Sequence, residues 1–340
     1  MIGTMTPLER LLAVVQGKTP DYVPVFPMLN EYAAHLLKVS ELEYYRHPER
    51  MAEGQMALVK HFDYDFLLAF TYLAREAAAM GGKIQYHEDA SPTVGGLLAR
   101  SPEELLRLEI PDFESNPETK VVLDQIGKMV ELSAGKYPIV GVTTGPFSWP
   151  TLIMGNDQWL TSLFMEEPDT IKQVIARGQE FITKWANAQI KAGCHVVAVV
   201  EGSATKSVIP EDIFTGYVQD ALKSAIGQIK APSVVLGVGG EWEPFLPHLA
   251  KTGAAGVVLS TDDDLATCLE KAGGMITMGN VNNLEFMDYS LTDIEDITRK
   301  AMATAKGKRF VYSTQYVLPH LVQEEKIKHF IAMARQYGKQ

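Results

Sequence analysis

Short apolar runs recur along the chain, and each is followed by a stretch with helical spacing. The runs are nearly continuous in Val, Ile and Leu and do not alternate with polar residues. Runs of this kind are typical of parallel strands that are covered on both faces. The pattern predicts eight strands, at residues 23–29, 64–70, 138–144, 195–201, 233–239, 255–261, 274–280 and 309–315.

The segments between these runs carry helix signals. Thr6 and Glu9 have the spacing of a capping box ahead of an apolar stretch. Residues 169–193 and 322–337 place apolar side chains on one face, at steps of three and four residues. The sequence therefore predicts strands that alternate with helices.

This alternation predicts an α/β protein with a (β/α)₈ barrel, and a doubly wound open sheet is the alternative. We expect a single barrel domain over residues 1–340, because no linker or internal repeat divides the chain. The segment 71–137, between the second and third predicted strands, is too long for a simple connection. It predicts an excursion of the chain outside the regular barrel pattern. Within it, residues 83–96 are expected to extend over the barrel mouth.

The net charge and the cysteine count limit the kinds of molecule that the protein could bind. The chain has a formal net charge of −11, which argues against nucleic acid and anionic membranes as partners. Its two cysteines, Cys194 and Cys268, fit a reducing compartment and offer no all-thiolate metal site. We find no signal peptide and no apolar run long enough to span a bilayer, so we expect a cytoplasmic protein.

The active sites of (β/α)₈ barrels lie at the C-terminal ends of the strands. Glu201 ends an apolar strand, and a carboxylate there needs water, a hydrogen-bond donor or a metal. We therefore expect Glu201 to be catalytic. Glu241, Gln315 and Tyr316 follow other predicted strands and are the further catalytic candidates.

Other side chains near the strand ends are candidates for substrate binding. Phe147 and Trp149 lie on the loop after the third strand, where we expect them to wall a pocket. Asp262 opens a run of three acids before a helical stretch, and we expect it to face the site while a neighbour caps the helix. The full set of substrate-binding candidates is Asn30, Tyr72, Phe147, Trp149, Asp262 and Asn280.

Six segments resemble, in order, the uroporphyrinogen decarboxylase superfamily, which includes the cobalamin-dependent methyltransferases. Together they cover nearly the whole chain, and the resemblance implies a (β/α)₈ barrel of the uroporphyrinogen decarboxylase type. The segments are TPLERLLAVVQGKTPDYVPVFP, REAAAMGGKIQYHED, VTTGPFSWPTLIMGN, GCHVVAVVEGSATKSVIPEDIF, MGNVNN and YSTQYVLP.

The chain departs from the decarboxylases of this superfamily at two places. They carry an arginine-rich segment after the first strand, where residues 29–33 here read LNEYA. Their aspartate after the second strand corresponds to Tyr72. Without those cations, a porphyrinogen with many carboxylates would lose its hydration and gain no ion pairs. We therefore do not expect porphyrinogen decarboxylation.

The chain also departs from the methyltransferases that it resembles. Their coenzyme M members bind zinc through His-x-Cys after the fifth strand and a cysteine after the eighth. Gly237, Gly239 and Gln315 occupy these positions here, so we expect an emptied ligand set with a widened pocket floor. Zinc bound by other ligands stays possible, and the candidates are Glu201, Glu241 and His248.

The resemblance implies that a methyl group moves from a small donor to the Co(I) of a separate corrinoid protein. We expect the donor to be an O-methyl aromatic compound, with the enzyme supplying orientation and help for the leaving oxygen. The chain lacks an Asp-x-His-x-x-Gly pattern for binding cobalamin itself.

Three other functions stay open from the sequence. One is a methylcobamide:thiol methyltransferase with unusual metal ligands. Another is a lyase related to uroporphyrinogen decarboxylase, with Arg75 and Lys206 as carboxylate anchors. The last is a barrel that binds a ligand without turning it over.

Overall fold

A computed structural model describes residues 4–340 and contains all eight predicted strands. Each observed strand overlaps its predicted range. The barrel strands are β1 (Val25–Phe26), β2 (Leu67–Ala69), β5 (Ile139–Thr144), β6 (Val196–Val200), β7 (Ser233–Leu236), β8 (Gly256–Val258), β9 (Ile276–Val281) and β10 (Phe310–Thr314). Their order is β1-β10-β9-β8-β7-β6-β5-β2, and every pairing is parallel.

The two outer strands of this order, β1 and β2, meet each other and close the ring. The backbone N–H of Asp65 donates to the carbonyl of Val25 at 3.1 Å. In return, the N–H of Val25 donates to the Asp65 carboxylate at 2.7 Å. The rings of Phe26 and Phe66 stack beside this junction, 4.7 Å apart. The fold is therefore the predicted (β/α)₈ barrel and not an open sheet.

Asp65 also ties two helices to the point of closure. Its side chain is completely buried and forms ion pairs with Arg10 and Arg335. Arg10 lies in the first helix and also pairs with Asp21, whereas Arg335 lies in the last helix. A buried carboxylate is tolerated when it is paired and hydrogen-bonded in this way. The first and last helices are thus fixed to the same strand end.

Helices cover the outside of the barrel, and the long ones match the predicted spacing and caps. Thr6 and Glu9 form the predicted capping box of the first helix. The helices are α1 (Pro7–Val15), α2 (Tyr32–Leu37), α3 (Glu41–Arg46), α4 (Pro48–Phe62), α5 (Ala74–Ala79), α6 (Pro102–Leu106), α7 (Pro117–Ser133), α8 (Trp149–Met154), α9 (Asn156–Met165), α10 (Pro168–Ala192), α11 (Glu211–Ile213), α12 (Gln219–Gln228), α13 (Leu246–Leu249), α14 (Leu265–Lys271), α15 (Leu291–Thr304) and α16 (Glu324–Tyr337). Between residues 4 and 340, no helix is both long enough and apolar enough to cross a bilayer.

The long connection between β2 and β5 contains an antiparallel hairpin, β3 (Ile84–Gln85) and β4 (Thr93–Val94). Its tip lies against loops that surround the C-terminal ends of the strands. The carbonyl of Glu88 accepts the N–H of Glu41 at 3.0 Å, and the hydroxyl of Ser91 donates to Glu31 at 2.9 Å. The segment that was expected to extend over the mouth is therefore a hairpin at its rim.

Replacing Asp65 with Asn tests the closure. The substitution removes the buried carboxylate that Arg10 and Arg335 share, although Arg10 keeps Asp21, and breaking a buried pair costs about 3–5 kcal/mol. We expect the free energy of unfolding, measured by urea denaturation at pH 7, to fall by that amount. Asp124→Asn is the control, because Asp124 pairs with Lys120 on an exposed helix face and should matter little. A loss at Asp65 no larger than the loss at Asp124 would contradict the closure.

Candidate active site

Glu201 follows β6, and its carboxylate holds the loop after β5. The backbone N–H groups of Phe147 and Ser148 donate to it at 3.0 and 2.9 Å, and the Ser148 hydroxyl donates at 2.7 Å. A Cβ on Gly145 would lie 2.2 Å from the carboxylate carbon, so only glycine fits there. Glu201 is completely buried, and burial raises its pKa to about 7. The side chain expected to be catalytic thus faces a loop and lines neither of the mouth cavities described below.

Two further buried carboxylates fix loops at the same end of the barrel. Glu76 accepts hydrogen bonds from the N–H and the hydroxyl of Thr144, at the end of β5, and burial raises its pKa to about 7. Asp263 follows β8 and accepts the N–H groups of Trp242 and Glu243, at 2.9 and 2.8 Å. Burial also raises the pKa of Asp263. These three buried acids therefore accept hydrogen bonds from backbone N–H groups and hold the strand ends and loops in place.

Phe147 and Trp149 do not wall a pocket, which corrects the expectation from the sequence. Both side chains are completely buried. Phe147 packs edge-on against Trp159, with 5.5 Å between ring centres, and Trp149 lies 5.2 Å from Phe181 on α10. The physical reason is the hydrogen bonding to Glu201, which draws this loop inward.

The glycines after β7 form a tight turn. The N–H of Gly240 donates to the carbonyl of Gly237 at 3.0 Å. The two central residues, Val238 and Gly239, have φ angles of +53° and +86°. Val238 is β-branched, and such residues rarely adopt this left-handed conformation. The stretch therefore carries backbone strain at the rim of the mouth.

Gly237 does not widen the pocket floor as expected, and the neighbouring Gly240 is equally crowded. A Cβ on Gly237 would lie 2.5 Å from the indole nitrogen of Trp242. A Cβ on Gly240 would lie 2.3 Å from the hydroxyl of Thr205. The space that a missing side chain would leave at these positions is already filled, so the glycines permit close packing.

Gly239 faces Gln315 across the mouth of the barrel. A Cβ on Gly239 would lie 3.6 Å from the side-chain nitrogen of Gln315. The Gln315 carbonyl oxygen accepts the N–H and the hydroxyl of Thr261, and its nitrogen donates to Asn283 at 3.2 Å. Gln315 therefore bridges the loops after β8 and β9.

The other polar candidates are largely engaged in local structure. Asn280 donates to two backbone carbonyls of the loop after β8. Asp262 is exposed and lines no cavity described here, while Asp264 caps α14. Asn30 is completely buried and donates to the hydroxyl of Tyr45 at 3.0 Å. The structure does not bring Glu201, Glu241, Asn280 and Gln315 into one chamber.

The three candidate zinc ligands also face different neighbours. Glu241 pairs with Lys206 at 3.0 Å. The two ring nitrogens of His248 contact Gln219 and Glu211, at 3.0 and 2.8 Å. Within residues 4–340, no three His, Cys, Asp or Glu side chains come close enough to hold a metal ion. The residues present do not fit the zinc site implied by the resemblance, and we derive no step through such an ion.

Two open cavities lie at the mouth of the barrel. The first, which we call the neutral cleft, has a volume of about 690 Å³ and lies beyond the ends of β5, β6 and β7. None of the described residues around it has an ionisable side chain. The residues that define it are Thr144, Leu152, Ser203, Val208, Val238 and Gly239.

The second cavity, which we call the acidic pocket, has a volume of about 350 Å³ and lies between the hairpin and the loops after β1, β2 and β10. Burial raises the pKa of Glu31 and of Glu41 to about 7, and that of the Tyr316 phenol to about 12. The residues that define the pocket are Glu31, Glu41, Tyr72, Asp89, Tyr316 and His320.

Of the site residues predicted from the sequence, two line the acidic pocket, Tyr72 and Tyr316. Sequence reasoning missed Glu41 and Asp89 because they lie on a helix start and on the hairpin tip, away from any strand end. No local motif marks them. Only the packing of the hairpin against α3 brings them to the mouth.

The raised pKa of Glu201 predicts a pH effect on stability. Because the native pKa of about 7 exceeds the ordinary value near 4.5, the native state retains the proton longer than the unfolded state. Stability from this group therefore falls as pH rises from about 4.5 to about 7. We expect the free energy of unfolding of wild type, minus that of Glu201→Gln, to fall by roughly 2–3 kcal/mol between pH 5 and 8.

The matched control for this measurement is Glu131→Gln, because the Glu131 side chain is 69% exposed. Its difference from wild type should stay constant across the same pH range. A constant difference for Glu201→Gln as well would show that the Glu201 carboxyl titrates normally.

The sequence is similar to characterised proteins over almost its whole length. Residues 6–337 match the family model described as uroporphyrinogen decarboxylase (URO-D). A methylated-thiol–coenzyme M methyltransferase from Methanosarcina mazei is 24% identical over 257 residues, which span 74% of this chain and 69% of the relative. A uroporphyrinogen decarboxylase from Methylobacillus flagellatus is 23% identical over 98% of this chain and 99% of the relative.

Solved structures share the same fold. A methyltransferase from Methanosarcina mazei superposes with a TM-score of 0.88 at 21% identity, covering 98% of this chain and 99% of the other. A B12-independent methionine synthase from Shewanella sp. W3-18-1 gives a TM-score of 0.58 at 14% identity, with 94% and 95% covered. The curated methyltransferase relative supports the methyltransferase branch inferred from the sequence. The family prediction is confirmed, and the chain belongs to the uroporphyrinogen decarboxylase family.

Proposed function

We propose that the protein is a methyltransferase that moves a methyl group from a small donor to the Co(I) of a separate corrinoid protein. A methyl-transfer role is supported by the methyltransferase relative and by the family match. The donor class and the corrinoid acceptor are our inference. The donor that we assign is an O-methyl aromatic compound.

The neutral cleft is the observation that carries this choice of donor. Leu152, Val208 and Val238 give it apolar walls, and Ser203 adds a hydroxyl. Small-molecule sites typically combine apolar walls with a few polar groups that fix orientation. A neutral aryl ether would enter without the desolvation penalty of a charged ligand. The cleft therefore suits a methoxyarene better than an anionic substrate.

The transfer breaks the bond between the methyl carbon and the ether oxygen. The methyl carbon bonds to the Co(I) nucleophile, and the electron pair of the broken bond stays on the phenolate oxygen. The protein's share is to align the two reactants and to stabilise the leaving oxygen. Ser203 lines the neutral cleft, and its hydroxyl is the donor that we assign to that oxygen.

Glu201 fits this proposal as a positioning residue. The hydroxyl of Ser148 donates to Glu201 at 2.7 Å and accepts the backbone N–H of Ser203 at 3.0 Å. Ser203 is thereby held at the wall of the neutral cleft through two hydrogen bonds. Glu201 would influence transfer through this relay, without contact with the donor.

The rim of the mouth offers a surface for the corrinoid protein. Four exposed apolar side chains lie on the loops after β6, β7, β9 and β10, and we propose that they contribute to the contact with the corrinoid protein. They are Val208, Val238, Leu284 and Leu321, with exposed fractions of 44, 43, 62 and 72%.

The lyase alternative is weaker because its two anchors are engaged. Arg75 is buried and bonds to Glu118 and to the carbonyl of Tyr45. Lys206 pairs with Glu241. Neither cation lines the neutral cleft or the acidic pocket, where a substrate carboxylate would have to bind. The thiol alternative lacks a ligand set within the described residues, and the non-catalytic alternative is an outcome of the assay below.

The assay combines the protein with cob(I)alamin and a panel of methoxyarenes, and follows methylcobalamin by its absorbance. We expect product with at least one methoxyarene. Val208→Glu places a charge in the neutral cleft and should lower the rate at least tenfold. Val130→Glu is the matched control, because Val130 is similarly exposed, at 42%, on α7. It should retain the wild-type rate.

No product with any donor class, from a folded protein, would contradict the proposed function. Equal rates for the two variants would leave methyl transfer standing but would contradict its placement in the neutral cleft.

A further inference from the structure

The acidic pocket gathers carboxyl groups that no neighbouring lysine or arginine neutralises. Among the described residues around it, none is lysine or arginine, and His320 is the one basic side chain. The ring nitrogen of His320 lies 3.1 Å from one carboxylate oxygen of Glu41. Asp89 adds a third, exposed carboxylate at the hairpin tip. The pocket therefore contains three acidic side chains and one basic side chain.

Two carboxylate oxygens in this pocket are buried without a hydrogen-bond partner. Glu41 is only 6% exposed, and its second oxygen has no donor within reach. Glu31 accepts the hydroxyl of Ser91 on one oxygen, and its other oxygen also lacks a donor. Buried acceptors are nearly always satisfied in native proteins, so an unsatisfied pair in a cavity points to a missing partner.

The aromatic lining indicates what kind of partner fits. Tyr72 and Tyr316 both line the pocket. Tyr45 and Phe70 pack against the Tyr72 ring, at 5.4 and 4.7 Å between centres, and hold it in place. Aromatic faces beside carboxylates attract organic cations, and methylated ammonium groups are the typical ligands of such sites.

A metal ion fits the same pocket less well. Within residues 4–340, no three His, Cys, Asp or Glu side chains approach closely enough to form a coordination site. A cavity of about 350 Å³ also exceeds the needs of a bare ion and lies within the range of small organic ligands.

We propose that the acidic pocket binds a small methylated ammonium cation. The carboxylates of Glu31 and Glu41 supply the opposite charge, and the rings of Tyr72 and Tyr316 contact the methyl groups. This site is separate from the neutral cleft, and its existence does not depend on the donor proposed above.

The proposal predicts stronger binding at higher pH. The groups that face the two buried acids are Asp89 and Ser91 on the hairpin, Tyr72 after β2, and Tyr316 and His320 after β10. Because the pKa of Glu31 and of Glu41 is about 7, raising the pH from 6 to 8 ionises them. The association constant should increase about tenfold over this range if one carboxyl must lose its proton.

The experiment is isothermal titration of the full-length protein with tetramethylammonium chloride at pH 8. Neopentyl alcohol, a neutral molecule of similar shape, and MgCl₂ are titrated in parallel. We expect saturable binding of one tetramethylammonium ion and no binding of the alcohol. Equal binding of the alcohol, tight binding of Mg²⁺ instead, or no binding of tetramethylammonium would each overturn the proposal.

Variants assign the binding to this pocket. Glu31→Gln combined with Glu41→Gln should weaken tetramethylammonium binding at least tenfold and abolish its pH dependence. Glu270→Gln, which changes an exposed acid on α14, should leave binding unchanged. If the double variant does not fold, Tyr316→Leu decides, because it keeps both acids and should still weaken binding severalfold. Wild-type affinity in the folded variants would contradict the placement.

The methoxyarene assay separates this inference from the proposed function. Methyl transfer can fail while tetramethylammonium binds, and transfer can succeed while tetramethylammonium does not bind. Each result therefore bears on one proposal alone.

Discussion

The pairing of one buried carboxylate, Asp65, is the interaction on which the barrel depends. Between β1 and β2 the ring is joined through this residue, whose backbone and side chain both bond to Val25. Arg10 and Arg335 neutralise it from helices at opposite ends of the sequence. Closing a barrel brings distant parts of the chain together. Here the closure buries the Asp65 carboxylate, and the two arginines neutralise its charge.

The opposite end of the barrel uses buried carboxylates for a second purpose. Glu76, Glu201 and Asp263 each accept hydrogen bonds from the end of a neighbouring strand or from the loop that follows it. The carboxylates of these three acids are thus already hydrogen-bonded to the protein that forms the mouth. The surfaces left for ligands are a neutral cleft lined by hydroxyls and aliphatic groups, and a pocket whose acids come from outside the strands. Division of the mouth into these two environments is what our functional proposals rest on.

The sequence predicts the barrel well because both faces of each strand are buried, which leaves apolar runs that are easy to recognise. It predicts the site less well. The sequence singles out Glu201 as an acid that needs water, a donor or a metal, and its donors are two amides and a hydroxyl of the adjacent loop, while its catalytic role stays a prediction. Phe147 was expected at a pocket wall and is buried by that same bonding. Glu41 and His320 meet only through the folding of long connections, for which the chain carries no periodic signal.

The most direct test of the account is a crystal structure of the protein soaked with a brominated methoxyarene, located by the anomalous scattering of bromine. The account predicts one strong anomalous peak inside the neutral cleft, near Val208 and Val238, with the ether oxygen within hydrogen-bond distance of Ser203. A peak in the acidic pocket, or an ordered arene found only at lattice contacts, would contradict it.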